Sequence, residues 1–151
     1  MPHTPHAVYI SEVIAAPVQS VWSLMRDFNG MPAYHPGVLR SEIEGGGRGD
    51  TVGGMRRLSL GPDAFVREKL LMLDDQAHAF SYTIVEGSLP VKHYVAGVRL
   101  SRVTEGDRTF AEWWADFEMV GDADRAHWVG HIGRNIFATA FATIATKLAG
   151  R

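Results

Sequence analysis

The stretch Ser81-Tyr-Thr-Ile-Val-Glu-Gly-Ser-Leu-Pro-Val-Lys-His-Tyr94 decides how the chain is read. Apolar residues alternate at Phe80, Tyr82 and Ile84, and the chain then passes through Glu86-Gly-Ser-Leu-Pro90. The alternation resumes at Tyr94, Ala96, Val98 and Leu100. Period-two patterns on both sides of a Gly/Pro connection predict two adjacent strands, each buried on one face. The inward phase carries aromatics, one of them a tyrosine at the connection. That composition suits a sheet curved around a hollow as well as one packed on a core.

Similar strands extend in both directions. Val38–Glu44 ends at Gly45-Gly46-Gly47-Arg48-Gly49-Asp50, and Thr51–Leu60 ends at Gly61-Pro62-Asp63. Phe65–Leu73, Ala77–Val85, Tyr94–Val103 and Thr109–Met119 follow, each closed by a polar or glycine turn. Short connections between consecutive strands predict antiparallel neighbours. At the N-terminal end, Val8–Ile14 is β-branched and aromatic and reads as a first strand. Pro17 suits the first position of a helix. Val18, Val21, Trp22 and Met25 continue it at helical spacing up to Asn29-Gly30, and residues 31–37 read as a turn or second small helix.

The C-terminal stretch changes period. Trp128, Ile132, Ile136, Ala140, Ile144 and Leu148 recur every four residues, widened by Val129, Phe137 and Phe141. This predicts one long amphipathic helix, with Asp122 or Asp124 as N-cap and Gly150 as stop. Its apolar stripe must be buried on the sheet.

The bulk composition narrows the class. The 151 residues predict one domain, 1–151, with residues 1–6 as a mobile tail. The chain is 46% hydrophobic and 21% charged, enough for a sizeable core, and its net charge of -2 argues against nucleic acid and anionic membranes. No apolar run approaches the ~20 residues of a membrane span. With no cysteine, disulfides, zinc-thiolate sites and a thiol nucleophile are excluded, and the cytoplasm is the expected compartment. Met-Pro-His-Thr-Pro-His lacks the layout of a signal peptide.

The order is strand, two short helices, six strands, long helix. Together with Ala16-Pro17-x4-Trp22, Phe28-Asn29-Gly30, Tyr34-His35-Pro36-Gly37-Val38, Glu68-Lys-Leu70 with Leu73-Asp74, and Tyr82-x-Ile84-x-Glu86-Gly-Ser-Leu-Pro90, it resembles the START/SRPBCC superfamily, in its polyketide cyclase/dehydrase-like branch. The resemblance covers nearly the whole chain. Similar sequences often carry Trp where Tyr34 stands. The resemblance implies an α+β helix-grip fold of the pollen-allergen type, in which a curved antiparallel sheet wraps the long helix around an apolar cavity. It also implies binding of lipids, hormones, polyketides or aromatic compounds. Only some members are enzymes, so fold alone does not decide activity.

Phase identifies candidate lining residues independently. Arg56 lies in the apolar phase of one strand with Leu58 and Leu60, and Glu68 in that of the next with Val66, Leu70 and Met72. Lone buried charges are costly, so the two are expected to pair on the concave face, as a polar anchor for a ligand or as a structural ion pair near the rim. Phe80, Tyr82, Ile84, Tyr94, Val98, Trp113 and Phe117 face inward by the same alternation, while Glu112, Trp114, Asp116 and Glu118 face outward. With Tyr34 at the pocket edge and Ile132 and Phe137 on the helix, the expected ligand-binding set is Tyr34, Arg56, Leu58, Glu68, Phe80, Tyr82, Tyr94, Val98, Trp113, Phe117, Ile132 and Phe137. Core packing is the plainer reading for any one of them.

No convincing catalytic constellation emerges. Arg56 would lower the pKa of Glu68, which weakens a general base. The serines have no nucleophile-elbow context, and the Gly45–Gly49 cluster lacks a phosphate-binding ending. His127 and His131 share a helix face but supply only half a zinc site, so no metal or cofactor is expected. His35 is read as an exposed loop histidine, with a gate at the pocket mouth as the alternative. The first reading is a carrier or sensor of a small hydrophobic molecule. A cyclase, dehydrase or isomerase acting in the same cavity is the alternative, and a partner-binding regulator using the Trp114 face is the third. A homodimer stays open.

Overall fold

The computed structural model describes residues 5–149. Strand β1, Val8–Ile14, is followed by helix α1, Val18–Met25, and a single-turn helix, Met31–Ala33. Six strands come next: β2 Arg40–Ile43, β3 Met55–Gly61, β4 Ala64–Asp74, β5 Ala79–Gly87, β6 Val91–Val103 and β7 Arg108–Met119. The chain closes with α2 Arg125–Gly130, a π-helical segment His131–Ala138 and α3 Thr139–Ala149. All seven strands form one antiparallel sheet in the order β1-β7-β6-β5-β4-β3-β2. This is the helix-grip arrangement of START and pollen-allergen-like proteins. β1 joins the far edge of a meander, with Val8 opposite Ala115 and Ile14 opposite Thr109. α1 and the single-turn helix lie on the crossing from β1 to β2.

The sheet bends where its registers slip. Irregularities lie between Ser59 and Gly61, Arg67 and Glu68, Leu70 and Met72, and Lys92 and Val95. Such bulges add local twist and turn a strand's faces. The slip after Leu70 corrects one expectation: Met72 does not stay in phase with Val66 and Leu70 but turns out to 42% exposure, and Leu73 packs on the core instead. Elsewhere the alternation holds. Tyr94, Ala96, Val98 and Leu100 are buried, as are Ala111, Trp113, Ala115 and Phe117.

Several boundaries differ from the sequence reading. β3 begins at Met55, not Thr51, because residues 51–54 form a turn closed by Gly54 N–H to the Thr51 carbonyl at 3.0 Å, with Gly53 at φ +90. β2 is shorter than Val38–Glu44. Pro17 is the N-cap residue of α1 rather than its first helical residue. Residues 1–4 of the expected tail, and Gly150, lie outside the described residues. His6 sits on Trp114, with ring centroids 5.5 Å apart, and its Nδ1 lies 2.6 Å from the Asp116 carboxylate.

The long C-terminal helix is not uniformly α. Asp124 is its N-cap, accepting from His127 N–H at 3.3 Å, and His131–Ala138 is wound as a π-helix. A strict four-residue repeat drifts around an α-helix of 3.6 residues per turn. A segment with i→i+5 bonding holds more residues per turn and takes up that drift. Ile132 in the π-helical segment and Ala140, Ile144 and Leu148 in α3 are buried, while Trp128 and Ile136 of the same repeat are half-buried.

Candidate ligand cavity

A cavity of about 300 Å³ lies between the inner faces of β3–β6, the single-turn helix with its following loop, and the π-helical segment. Its apolar wall includes Met31, Val38, Leu58, Leu60, Val66, Ile84 and Leu89. Its polar groups are Arg56, Glu68, Tyr82, Tyr94, His35, His131 and Asn135. This size stands at the lower end of small-molecule pockets, roughly 300–1,000 Å³.

Arg56 and Glu68 are direct neighbours across the β3–β4 ladder. Arg56 Nε donates to Glu68 Oε1 at 2.8 Å, its second terminal nitrogen lies 2.7 Å from the same oxygen, and the first donates to the Phe28 carbonyl at 2.7 Å. The guanidinium carbon stands 3.7 Å above the Phe28 ring and 5.2 Å from that of Tyr82. Burial disfavours the Arg56 charge, yet the facing Glu68 carboxylate raises its pKa further. Burial also pushes the Glu68 carboxyl up, against the downward pull of Arg56. An arginine cannot shed its proton, so a neutral Glu68 would leave a buried cation alone. The bonding geometry supports the ion pair.

The tyrosines are held as neutral phenols. Burial raises Tyr82 and Tyr94 well above the usual range, with Glu68 and neighbouring hydroxyls adding to it, and pushes Tyr34 up to about 12. Tyr82 also accepts from Trp113 Nε1 at 3.1 Å. These groups offer hydrogen bonds, not negative charge.

The π-helical segment supplies the opposite wall. His35 Nε2 lies 3.1 Å from the Asn135 carbonyl, and its Nδ1 accepts from Gly37 N–H at 2.9 Å. Asn135 Nδ2 lies 2.9 Å from His131 Nδ1. Burial lowers the pKa of His35, its backbone bonds pulling the other way, and lowers that of His131, with His127 adding to it. His35 is thus buried on the cavity wall, which corrects the exposed-loop reading. His127 and His131 stack at 6.2 Å, and among the described residues no group of three His, Cys, Asp or Glu side chains is placed to hold a metal.

The structure gathers part of the expected binding set. Arg56, Leu58, Glu68, Tyr82 and Tyr94 line the cavity. Tyr34, Phe80, Val98, Trp113, Phe117, Ile132 and Phe137 are buried, but they pack in the core beside it. The reason is aromatic filling. Trp113 stacks on Phe137 at 4.5 Å, Phe80 meets Trp22 and Phe28, and Phe117 stacks on Tyr94 at 5.7 Å. The hollow is bounded by β3–β6, the loop after the single-turn helix and the π-helical segment. Sequence reasoning did not place Met31, Gly37, Val38, Leu89, Asn135 or Ile136 on its wall. Val38 and Leu89 adjoin the Pro-containing loops, and that position was their only signal.

Residues 5–151 match the family described as polyketide cyclase / dehydrase and lipid transport. Abscisic acid receptor PYL10 of Arabidopsis thaliana is 31% identical over 99 residues, 64% of this chain and 53% of the receptor. Abscisic acid receptor PYL7 of the same plant is 32% identical over 84 residues, 54% of this chain and 38% of that receptor. The matched stretch thus spans about half or less of these relatives' length. Among solved structures, XoxI from Bacillus cereus superposes with a TM-score of 0.83 at 21% identity, covering 94% of both chains. A protein from Nitrosospira multiformis gives 0.80 at 27% identity, covering 95% of this chain and 99% of that one. Ara h 8.0201 gives 0.76 at 16%, covering 95% and 97%. XoxI and Ara h 8.0201 share the fold with this chain.

Proposed function

The chain belongs to the polyketide cyclase / dehydrase and lipid transport family, and from that premise we propose that it holds one small, largely apolar molecule in the cavity, as a carrier or sensor. The observation that carries this reading is the cavity of about 300 Å³, apolar in most of its wall, with a buried ion pair at one side. Apolar walls with a few placed polar groups suit hydrophobic ligands and fix their orientation. The sensor form draws support from the two relatives named as hormone receptors. The family and the fold support hydrophobic ligand binding in general. No helix among the described residues is long and apolar enough to cross a membrane. The proposal places the carrier in the cytoplasm.

The test uses protein purified without denaturation. Native mass spectrometry should reveal a bound organic molecule, or the emptied protein should take up an apolar fluorescent probe with saturable, one-site behaviour. Ile84→Trp, which fills the cavity from its sheet wall, should abolish uptake while the protein stays folded. Unchanged probe binding in that variant would move the site elsewhere. A folded wild-type protein that binds neither probe nor natural ligand would overturn the reading.

A further inference from the structure

Within this cavity the two members of the ion pair are not equally available. The Arg56 side chain is 1% exposed, against 7% for Glu68. Arg56 directs Nε and one terminal nitrogen at Glu68 Oε1, gives the other to the Phe28 carbonyl, and has its flat face over the Phe28 ring. Its charge is consumed inside the wall. Glu68 Oε2 accepts no hydrogen bond from the described side chains or backbone, although Glu68 lines the cavity. A carboxylate oxygen keeps acceptor capacity there and has no proton to give.

Among the described residues no lysine lies on the wall, and Arg56 is its one permanent cation. His131 Nδ1 lies 2.9 Å from Asn135 Nδ2, and burial lowers the pKa of the ring, which favours its neutral form in slightly alkaline buffer. We propose that the cavity selects uncharged apolar ligands bearing a hydroxyl or N–H donor for Glu68 Oε2, and rejects ligands bearing a carboxylate. The inference rests on the ligand-binding reading above. An incoming anion would face the free carboxylate oxygen with no unspent cation to balance it, and like charges in a poorly solvated site repel strongly. A neutral donor would complete a charge-assisted bond, which is stronger than a neutral one.

The experiment compares naphthol, methylnaphthalene and naphthoate as ligands of the wild-type protein in slightly alkaline buffer, by calorimetry or probe displacement. The three share one ring system and differ at one substituent. Naphthol should bind roughly tenfold more tightly than methylnaphthalene, the scale of one hydrogen bond to a charged group. Naphthoate should bind more weakly than both. Glu68→Gln removes the negative charge and leaves Arg56 uncompensated, so naphthoate should gain affinity and overtake naphthol. Folding of that variant is checked by circular dichroism, and if it does not fold, the wild-type order decides alone. Naphthoate binding as well as or better than naphthol in the wild type would overturn this inference and leave the cavity reading standing. Failure of all three to bind, with an empty cavity verified by mass spectrometry, would instead count against the cavity reading.

Discussion

Arg56 and Glu68 stand opposite each other on β3 and β4, joined at 2.8 Å, with the guanidinium laid over the Phe28 ring. The relationship links three parts of the fold. Phe28 belongs to the segment after α1, so its carbonyl bond to Arg56 ties that segment to the sheet. The same pair forms one side of the cavity. Its position therefore serves packing and ligand contact together.

Breaking the pair should be expensive. Glu68→Gln should lower the unfolding free energy by about 3–5 kcal/mol in a urea titration, because an unpaired buried cation remains. Arg56→Met combined with Glu68→Leu should recover part of that loss by removing both charges. A single-variant cost under ~1 kcal/mol would place the pair among solvent-screened surface bridges.

Phe137 tests the division between core and cavity. It lies flat on Trp113, centroids 4.5 Å apart and planes 10° apart, away from the cavity wall. Phe137→Ala should cost ~3–5 kcal/mol of stability. Phe137→Leu, milder in volume, should lower the melting temperature and change probe affinity in the cavity little, since Phe137 is not on the cavity wall and reaches it only through Trp113 and its bond to Tyr82. A large change in affinity with little change in stability would return Phe137 to the binding set.

The face of each strand was legible because alternation is fixed by backbone geometry. Arg56 and Glu68 could be paired from phase alone, and Trp114 assigned outward by its charged neighbours. Phase does not say where a buried face is filled and where it is hollow. Trp113, Phe117 and Phe137 share the inward signal of Tyr82 and Tyr94, yet they close on one another. The distinction depends on the sizes of side chains meeting from separate elements. The bulge that turned Met72 outward left no mark of its own in the pattern. The π-helical winding was present as a four-residue period, a signal read simply as helix. His35 and Asn135 meet across a hundred positions of sequence, a contact that no local pattern encodes.

Gly97 faces Trp114 across the β6–β7 ladder, on the outer side of the sheet. A Cβ added at Gly97 would lie 2.5 Å from Trp114 Cζ2. The indole therefore lies over the glycine backbone, with His6 stacked on it. Gly97→Ala should displace the indole and destabilise the protein by ~1–3 kcal/mol, the usual range for overpacking. The same change in a Trp114→Ala background should cost far less. Equal costs in the two backgrounds would mean that the close approach is not what requires glycine.

His35 should make stability depend on pH in a defined direction. Its folded pKa is lowered, chiefly by burial, while the unfolded chain keeps the ordinary value of ~6.5. Between those two values the unfolded state binds more protons, so stability rises with pH. The contribution of the neutral ring is fully present above ~6.5 and is lost as pH falls through the folded pKa. Protonation would also end the acceptor role of Nδ1 toward Gly37 N–H. His131 is shifted the same way and adds to the slope. His35→Asn can still accept from the backbone two residues on, as an Asx-turn, but has no charge to gain. Urea midpoints measured across mildly acidic to neutral pH should therefore fall less steeply for His35→Asn than for the wild type. His131→Asn should remove a further part of the slope. Parallel slopes for wild type and His35→Asn would mean that His35 takes up its proton as readily in the folded protein as in the unfolded chain, and the wall between the loop after the single-turn helix and the π-helical segment would have to be wetter than its hydrogen bonds imply.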